Sequence, residues 1–236
     1  MSSPLAAETI QIGAVLLNDK LELEKTYESL VSPDFAQSIP SAERKLTGIT
    51  WDMVKDERGF IEVMEEFLEW AGINGYDNDY LIYSWSDNDP LQLIRESRVK
   101  GLPLTELGVF DRWVDFQRCF MNSFHLKSQK SLEHALEMVQ LDFAGAAHRA
   151  DVDAYNTARL FRYVSHLEGI DSDVLLLGQT RKTFARDGSV NPRGSNPRFK
   201  KKKNNYQRNA QSRRNPVENQ VAKRKRRRRR GPSYQN

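Results

Sequence analysis

Charge divides this chain into two physical objects. From Arg181 to the end it carries 20 lysines and arginines against only Asp187 and Glu218, which leaves 16 basic and 30 acidic side chains in residues 1–180. The basic segment holds little beyond Arg, Lys, Asn, Gln, Ser, Gly and Pro, and its few apolar residues show no period. Such a segment buries too little apolar surface to offset the entropy of ordering its backbone. Residues 179–236 are therefore expected to form a disordered basic tail. A fold has to be built from residues 1–178, a length that supports one sizeable core. A single cysteine, Cys119, excludes an internal disulfide and suits a reducing compartment. No apolar run approaches the ~18 residues that a membrane helix needs, and the first residues lack the basic start of a secretory signal. The expected location is cytoplasmic, or nuclear if the source is eukaryotic, with no membrane partner.

Within residues 1–178 the apolar pattern changes period several times. Thr9 to Asn18 is β-rich, Asn18-Asp19 is a turn signal, and Lys20 to Leu30 alternates, which predicts a hairpin. Ser41 is placed to cap a short helix and Thr50 a second. Phe60, Val63, Phe67 and Trp70 recur at helical spacing, with Met64 and Leu68 beside them, and are expected to face the core. Tyr80 to Ser84 reads as a buried strand, Leu91 to Val99 as a helix, and Arg112 to Cys119 as a further strand. Ser131 caps a helix over Leu132 to Val139, and Gly145 breaks the chain before a helix expected from His148 to about Leu167. This order predicts an α/β fold with a mixed sheet and no internal repeat.

Two polar clusters sit at element boundaries. Trp85-Ser-Asp-Asn-Asp89-Pro90 follows the short strand at Tyr80 to Ser84, the place where α/β folds hold ligands. His148, Asp151 and Asp153 crowd the start of the last helix. Asp89 and Asp153 can face one cleft, and paired carboxylates suit hard divalent cations such as Mg²⁺. Two such ions about 4 Å apart can activate a water and stabilise the leaving oxygen of a phosphodiester. His148 is placed to take the proton from that water. The plainer reading makes Asp89 and Asp151 helix caps and His148 a loop residue.

The segment HRADVDAYNTARL resembles the third motif of the DEDDh 3′–5′ exonucleases, through His148, Asp153, Ala154, Thr157 and Ala158. SWSDND is similar to the second motif of one subgroup through Ser84, Trp85 and Asp89, with Ser86 where glycine is usual. TIQIGAVLL, LTGIT and Phe60 to Trp70 also resemble that subgroup, in the same order. It contains the sporulation-inhibitor-type exonucleases and the histone-mRNA exoribonucleases, and the likeness covers roughly residues 8–168. The resemblance implies an RNase H-like mixed sheet flanked by helices. It assigns Asp89 and Asp153 as ligands of Mg²⁺ or Mn²⁺ and His148 as general base. The activity it implies is 3′–5′ hydrolysis of single-stranded RNA or DNA ends, with RNA the expected substrate. Asp87, Asp151, His125, His134 and His166 match no motif position.

One element of that pattern is missing. The family's first motif, Asp-x-Glu on a central strand, has no counterpart, since MSSPLAA before Glu8 contains no acidic residue. Two expectations follow. The segment from Thr9 to Asn18 should lose a neighbour and present an open edge. The metal pair should also bind weakly, because half its carboxylates are absent. Two accounts are open: a reading frame that begins upstream of Met1, favoured because Asp89, His148 and Asp153 all persist, or a relative that binds nucleic acid or a partner without cleaving. The tail residues Lys223, Arg224, Lys225, Arg226, Arg227, Arg228, Arg229 and Arg230 form an unbroken basic run. Such a run is expected to hold nucleic acid through its phosphates.

Overall fold

The computed structural model describes residues 4–73, 80–105 and 107–167; the basic tail, including Lys223 to Arg230, lies outside them. The expected hairpin forms. Strand β1 (Gln11–Leu17) pairs antiparallel with β2 (Leu23–Leu30), Ala14 opposite Tyr27. Its turn is held by Asn18, whose side-chain oxygen accepts the amides of Lys20 and Glu22 at 2.9 and 3.0 Å, the local bonding that makes Asn a turn residue. Helices α1 (Ser41–Thr47), α2 (Trp51–Val54) and α3 (Phe60–Ala71) follow. Then come β3 (Ile82–Ser84), α4 (Asn88–Lys100), β4 (Trp113–Asp115), α5 (Phe116–Ser123), α6 (Leu132–Met138) and α7 (Ala150–Ser165).

The sheet is mixed, as expected, but it is divided. Among the described residues β1 bonds only to β2, and β3 bonds only to β4, in parallel, with Tyr83 opposite Val114. The apolar core divides with it. One cluster joins Tyr27 and Val31 to Phe60, Val63, Met64 and Phe67 of α3; the Tyr27 ring meets Phe67 edge-on at 5.6 Å. The second joins Val114, Phe116 and Phe120 to Ala135, Leu136, Leu160 and Val164 of α6 and α7, and buries Cys119. Among the described residues no strand pairs with β1 on its side away from β2, the edge expected to be open for Thr9 to Asn18.

Two local expectations need correction. The strand expected over Arg112 to Cys119 stops at Asp115, whose carboxylate accepts the Arg118 amide at 2.9 Å and starts α5. Phe116, Cys119 and Phe120 lie one turn apart on that helix and are all buried, so a helical stripe was hidden inside apparent alternation. Ser41 is the first residue of α1 rather than its cap; Pro40 precedes the helix and no side chain caps it. Thr50 does stand before α2, also without a side-chain bond, whereas Ser131 caps α6 by accepting the His134 amide at 3.2 Å.

A buried ion cluster locks the chain leading into β1. Lys100 Nζ lies 3.0 Å from Glu8, 2.7 Å from Asp34 and 2.8 Å from Glu96, and 5.1 Å from the centre of the Phe60 ring. Glu8 also accepts the amides of Asp34, Phe35 and Ala36 at 2.7–3.0 Å. Burial opposes its charge, but the Ala36 amide, the Lys100 ammonium and the other two amides outweigh it and hold its pKa below the usual carboxylate range. Glu96 takes the amide and hydroxyl of Thr9 at 2.8 and 2.7 Å. Removing the ammonium leaves three acids facing one another without a counterion, an arrangement that costs about 3–5 kcal/mol in comparable buried pairs. Lys100→Met is expected to lower unfolding free energy by that amount in urea titration.

Candidate active site

Asp89 reaches the cleft because β3 ends where it does. After Ser84 the chain turns. The Ser84 hydroxyl donates to the Ser86 carbonyl and accepts the Trp113 indole N–H at 2.9 Å. The Trp85 indole N–H donates to the Lys130 carbonyl at 3.1 Å, and its ring sits between those of Phe116 and Phe120. The turn is thus fastened to both β4 and α5, and α4 starts at Asn88 with Asp89 in its first turn. Pro90 follows in that turn, where its missing N–H leaves no bond unmade.

Asp153 reaches the same cleft from the opposite wall, on the first turn of α7. The helix begins at Ala150 rather than His148. Its first amide donates to the Gln11 side-chain oxygen of β1 at 2.9 Å, so a strand residue satisfies a group that a helix start leaves orphaned. A side chain on Gly13 would place its Cβ about 2.1 Å from the Asp151 nitrogen and 2.2 Å from the Ala150 carbonyl carbon. Only glycine lets β1 and α7 touch at this point. Asn156, fully buried, accepts the Ala144 amide at 3.0 Å and donates to the Ala144 and Val152 carbonyls, which fixes the loop that carries His148.

His148 lies just before α7, exposed, with a left-handed backbone (φ 69°), and its amide donates to Asp153 Oδ1 at 3.3 Å. Asp89, His148 and Asp153 line one cleft of about 1640 Å³ that runs between β1 and β3. Burial among protein atoms pushes the Asp89 carboxyl up to about 6, and the nearby charge of Asp153 adds to the push. Burial likewise raises Asp153, opposed by the His148 amide. Asp89 remains exposed to water.

The two carboxylates repel each other without a cation between them and are hard oxygen donors, so they fit one hard divalent ion; Mg²⁺ is commonly held by one or two carboxylates plus substrate phosphate. No group of three potential ligands gathers among the described residues. Asp151 turns away from this pair to Arg149 at 3.1 Å. His125, His134 and His166 are exposed and outside the cleft. Reading by motif missed Gln11 and Gly13. The signal was there: a glutamine and a glycine inside an otherwise apolar strand.

A profile of the exonuclease (RNase T) family matches residues 3–161. The chain belongs to that family. Human 3′-5′ exoribonuclease 1 is 27% identical over 161 residues, covering 65% of this chain and 45% of the relative. A PolC-type DNA polymerase III of Caldanaerobacter subterraneus is 30% identical over 154 residues, covering 65% of this chain and 10% of the relative. The exonuclease chain thus spans less than half the length of the curated relatives it matches. Among solved structures, the nuclease domain of 3′hExo, a DEDDh family member bound to rAMP, aligns at TM-score 0.62 and 25% identity. That alignment covers 71% of this chain and 84% of that domain. Cell-death related nuclease 4 aligns at TM-score 0.60 and 17% identity, over 67% of this chain and 57% of its own, a likeness of fold. The DEDDh resemblance read from the motifs agrees with this membership.

Two outcomes test the geometry of this candidate site. Asp89 is harder to ionise folded than unfolded, so its charge lowers stability once pH rises above the unfolded value, and the penalty is complete above about 6. Asp89→Asn should therefore be more stable than the parent at pH 7.5 by roughly 1 kcal/mol, discounted for the wet cleft side, with the difference gone near pH 4 in thermal melts. Gly13→Ala should cost at least the ~1–3 kcal/mol of an overpacked core, and an NMR spectrum should show the shifts concentrated at the start of α7.

Proposed function

We propose that this chain is a metal-dependent 3′–5′ exonuclease that hydrolyses the terminal phosphodiester of single-stranded nucleic acid, RNA in preference to DNA. The observation that carries the reading is the meeting of Asp89, Asp153 and His148 at one cleft from three separated stretches of sequence. The choice of RNA rests on the names of two relatives, an exoribonuclease and a nuclease domain bound to rAMP.

In this reading Asp89 and Asp153 would hold Mg²⁺ or Mn²⁺, which would supply Lewis-acid polarisation of the scissile phosphate and acidify the attacking water. His148 accepts the proton of the attacking water at its imidazole. Its backbone amide holds one oxygen of Asp153, so base and ligand move as one piece. The N-terminus of α7 presents its positive dipole end to the phosphate. A second reading has its own observation: no group of three metal-holding side chains gathers among the described residues, and in that reading the protein binds nucleic acid without cutting it.

We assign the basic run Lys223 to Arg230 to nucleic-acid tethering. Residues 1–180 carry a net negative charge that repels a polyanionic substrate, and cationic side chains bind phosphates by releasing counterions.

Labelled RNA and DNA oligonucleotides with Mn²⁺ test the first reading. Stepwise 3′ shortening is expected, with His148→Ala and Asp153→Asn each lowering the rate about 10²–10⁴-fold. Cleavage indifferent to both changes would sink it, and binding without cleavage would establish the second reading. Deleting residues 199–236 should weaken RNA binding and make its salt dependence shallower, by about 0.7 per lost phosphate contact in the log–log slope. An unchanged slope rules out the tether.

A further inference from the structure

His148 stands on a loop that side chains, rather than a backbone ladder, hold to the fold. Between the end of α6 and the start of α7, Gln140 (φ 63°), Gly145 (φ 82°) and His148 (φ 69°) all have left-handed backbones. Gln140 and His148 carry side chains, and such residues persist in that conformation only where the surroundings hold them. Among the described residues, no backbone–backbone hydrogen bond joins residues 142–147 to the rest of the chain. Phe143 packs against the second apolar cluster, but apolar contact has no direction. The hydrogen bonds that reach this segment come from two side chains of α7, Asn156 and Arg159.

Asn156 pairs with Ala144 much as a neighbouring strand would. Its Oδ1 accepts the Ala144 amide at 3.0 Å, and its Nδ2 donates to the Ala144 carbonyl at 2.8 Å. The other Nδ2 hydrogen goes to the Val152 carbonyl at 2.9 Å. Oδ1 also accepts Arg159 Nη1 at 3.0 Å, and the same nitrogen donates to the Asp142 carbonyl at 2.8 Å. The amide thus uses both of its donors and both lone pairs. Turning it over would set its N–H groups against the Ala144 amide and the Arg159 guanidinium. Arg159 therefore fixes the orientation in which Asn156 grips Ala144, and adds a second grip of its own at Asp142. Its guanidinium carbon lies 5.8 Å from the centre of the Tyr155 ring, a cation–π contact that steadies it.

We infer that Arg159 is a positioning residue for the proton-accepting His148, an inference that rests on the nuclease reading. Arg159 is not among the residues that line the cleft. It acts through Asn156 and the segment it holds, which enters the cleft at Ala147 and His148. Without the guanidinium the Asp142 carbonyl loses its donor and the Asn156 amide is free to turn. The left-handed residues then relax, and the imidazole leaves the place from which it meets the attacking water. A small misplacement of a reacting group lowers turnover steeply, whereas substrate binding, set by the cleft walls, stays as it was. An arginine that merely attracted a polyanion would do the reverse, changing KM and leaving kcat alone.

The test uses the full 236-residue chain with labelled RNA and Mn²⁺. It compares Arg159→Met, which keeps the aliphatic stem, with Arg159→Lys, which keeps a charge and donors. Arg159→Met should lower kcat about 10–10²-fold and leave KM within about twofold, and Arg159→Lys should recover most of the loss. Amide hydrogen exchange is followed on the same proteins. In Arg159→Met it should quicken about tenfold at Ala144 and His148, whose amides Asn156 and Asp153 accept. Leu160 and Val164, buried on the same helix, should keep their rates. Four results would overturn the inference: an unchanged kcat, a raised KM with kcat kept, unchanged exchange at Ala144 and His148, or faster exchange along the whole of α7. The last would make Arg159 a stabiliser of the helix and nothing more. A parent chain that does not cleave sinks the nuclease reading instead, and the exchange comparison then decides by itself whether Arg159 holds the loop.

Discussion

The contact of β1 with the first turn of α7 is the constraint on which the site depends. No hydrogen bond joins the two halves of the sheet among the described residues, so no ladder sets their spacing. The helix does so instead. Gln11 takes up the first amide of α7, and Gly13 admits its backbone at a distance that no side chain allows. On its other side α7 buries Leu160 and Val164 in the cluster built on β4, α5 and α6. One helix is therefore gripped by both halves, and the residue it presents between them is Asp153.

The chain holds two acidic clusters of different kinds. In one, three carboxylates surround Lys100, satisfied by ion pairs and by the three amides around Glu8. In the other, Asp89 and Asp153 line one cleft, and both are pushed toward the neutral form. The contrast separates a structural cluster from a candidate site. A buried ion group that exists to hold a fold is paired; a pair of acids left uncompensated in an open cleft is poised for a cation or a proton.

Much of the fold was legible because the patterns were long or chemically explicit. The Phe60–Trp70 stripe and the Asn18 turn each tied a period to a terminator, and Ser131 capped its helix as read. The failure at Arg112 to Cys119 has a physical cause: over eight residues an alternating and a helical pattern share most positions, and a side-chain bond from Asp115 decided between them. The site was partly legible. Asp89, His148 and Asp153 were recognisable from their spacing and meet in one cleft. Gln11 and Gly13 were not, since their roles depend on a helix 139 residues away that no local pattern reveals.

The sequence alone determined the hairpin, the helices other than α5, the division of charge and the membership of the exonuclease family, because each is written in residues near one another or in a motif of set spacing. Tertiary structure decided the rest: that the sheet is split, that α7 spans the split, and that two acids from distant helices share one space without a counterion. Those facts arise from which surfaces pack together, and packing is a property of the whole chain rather than of any stretch of it.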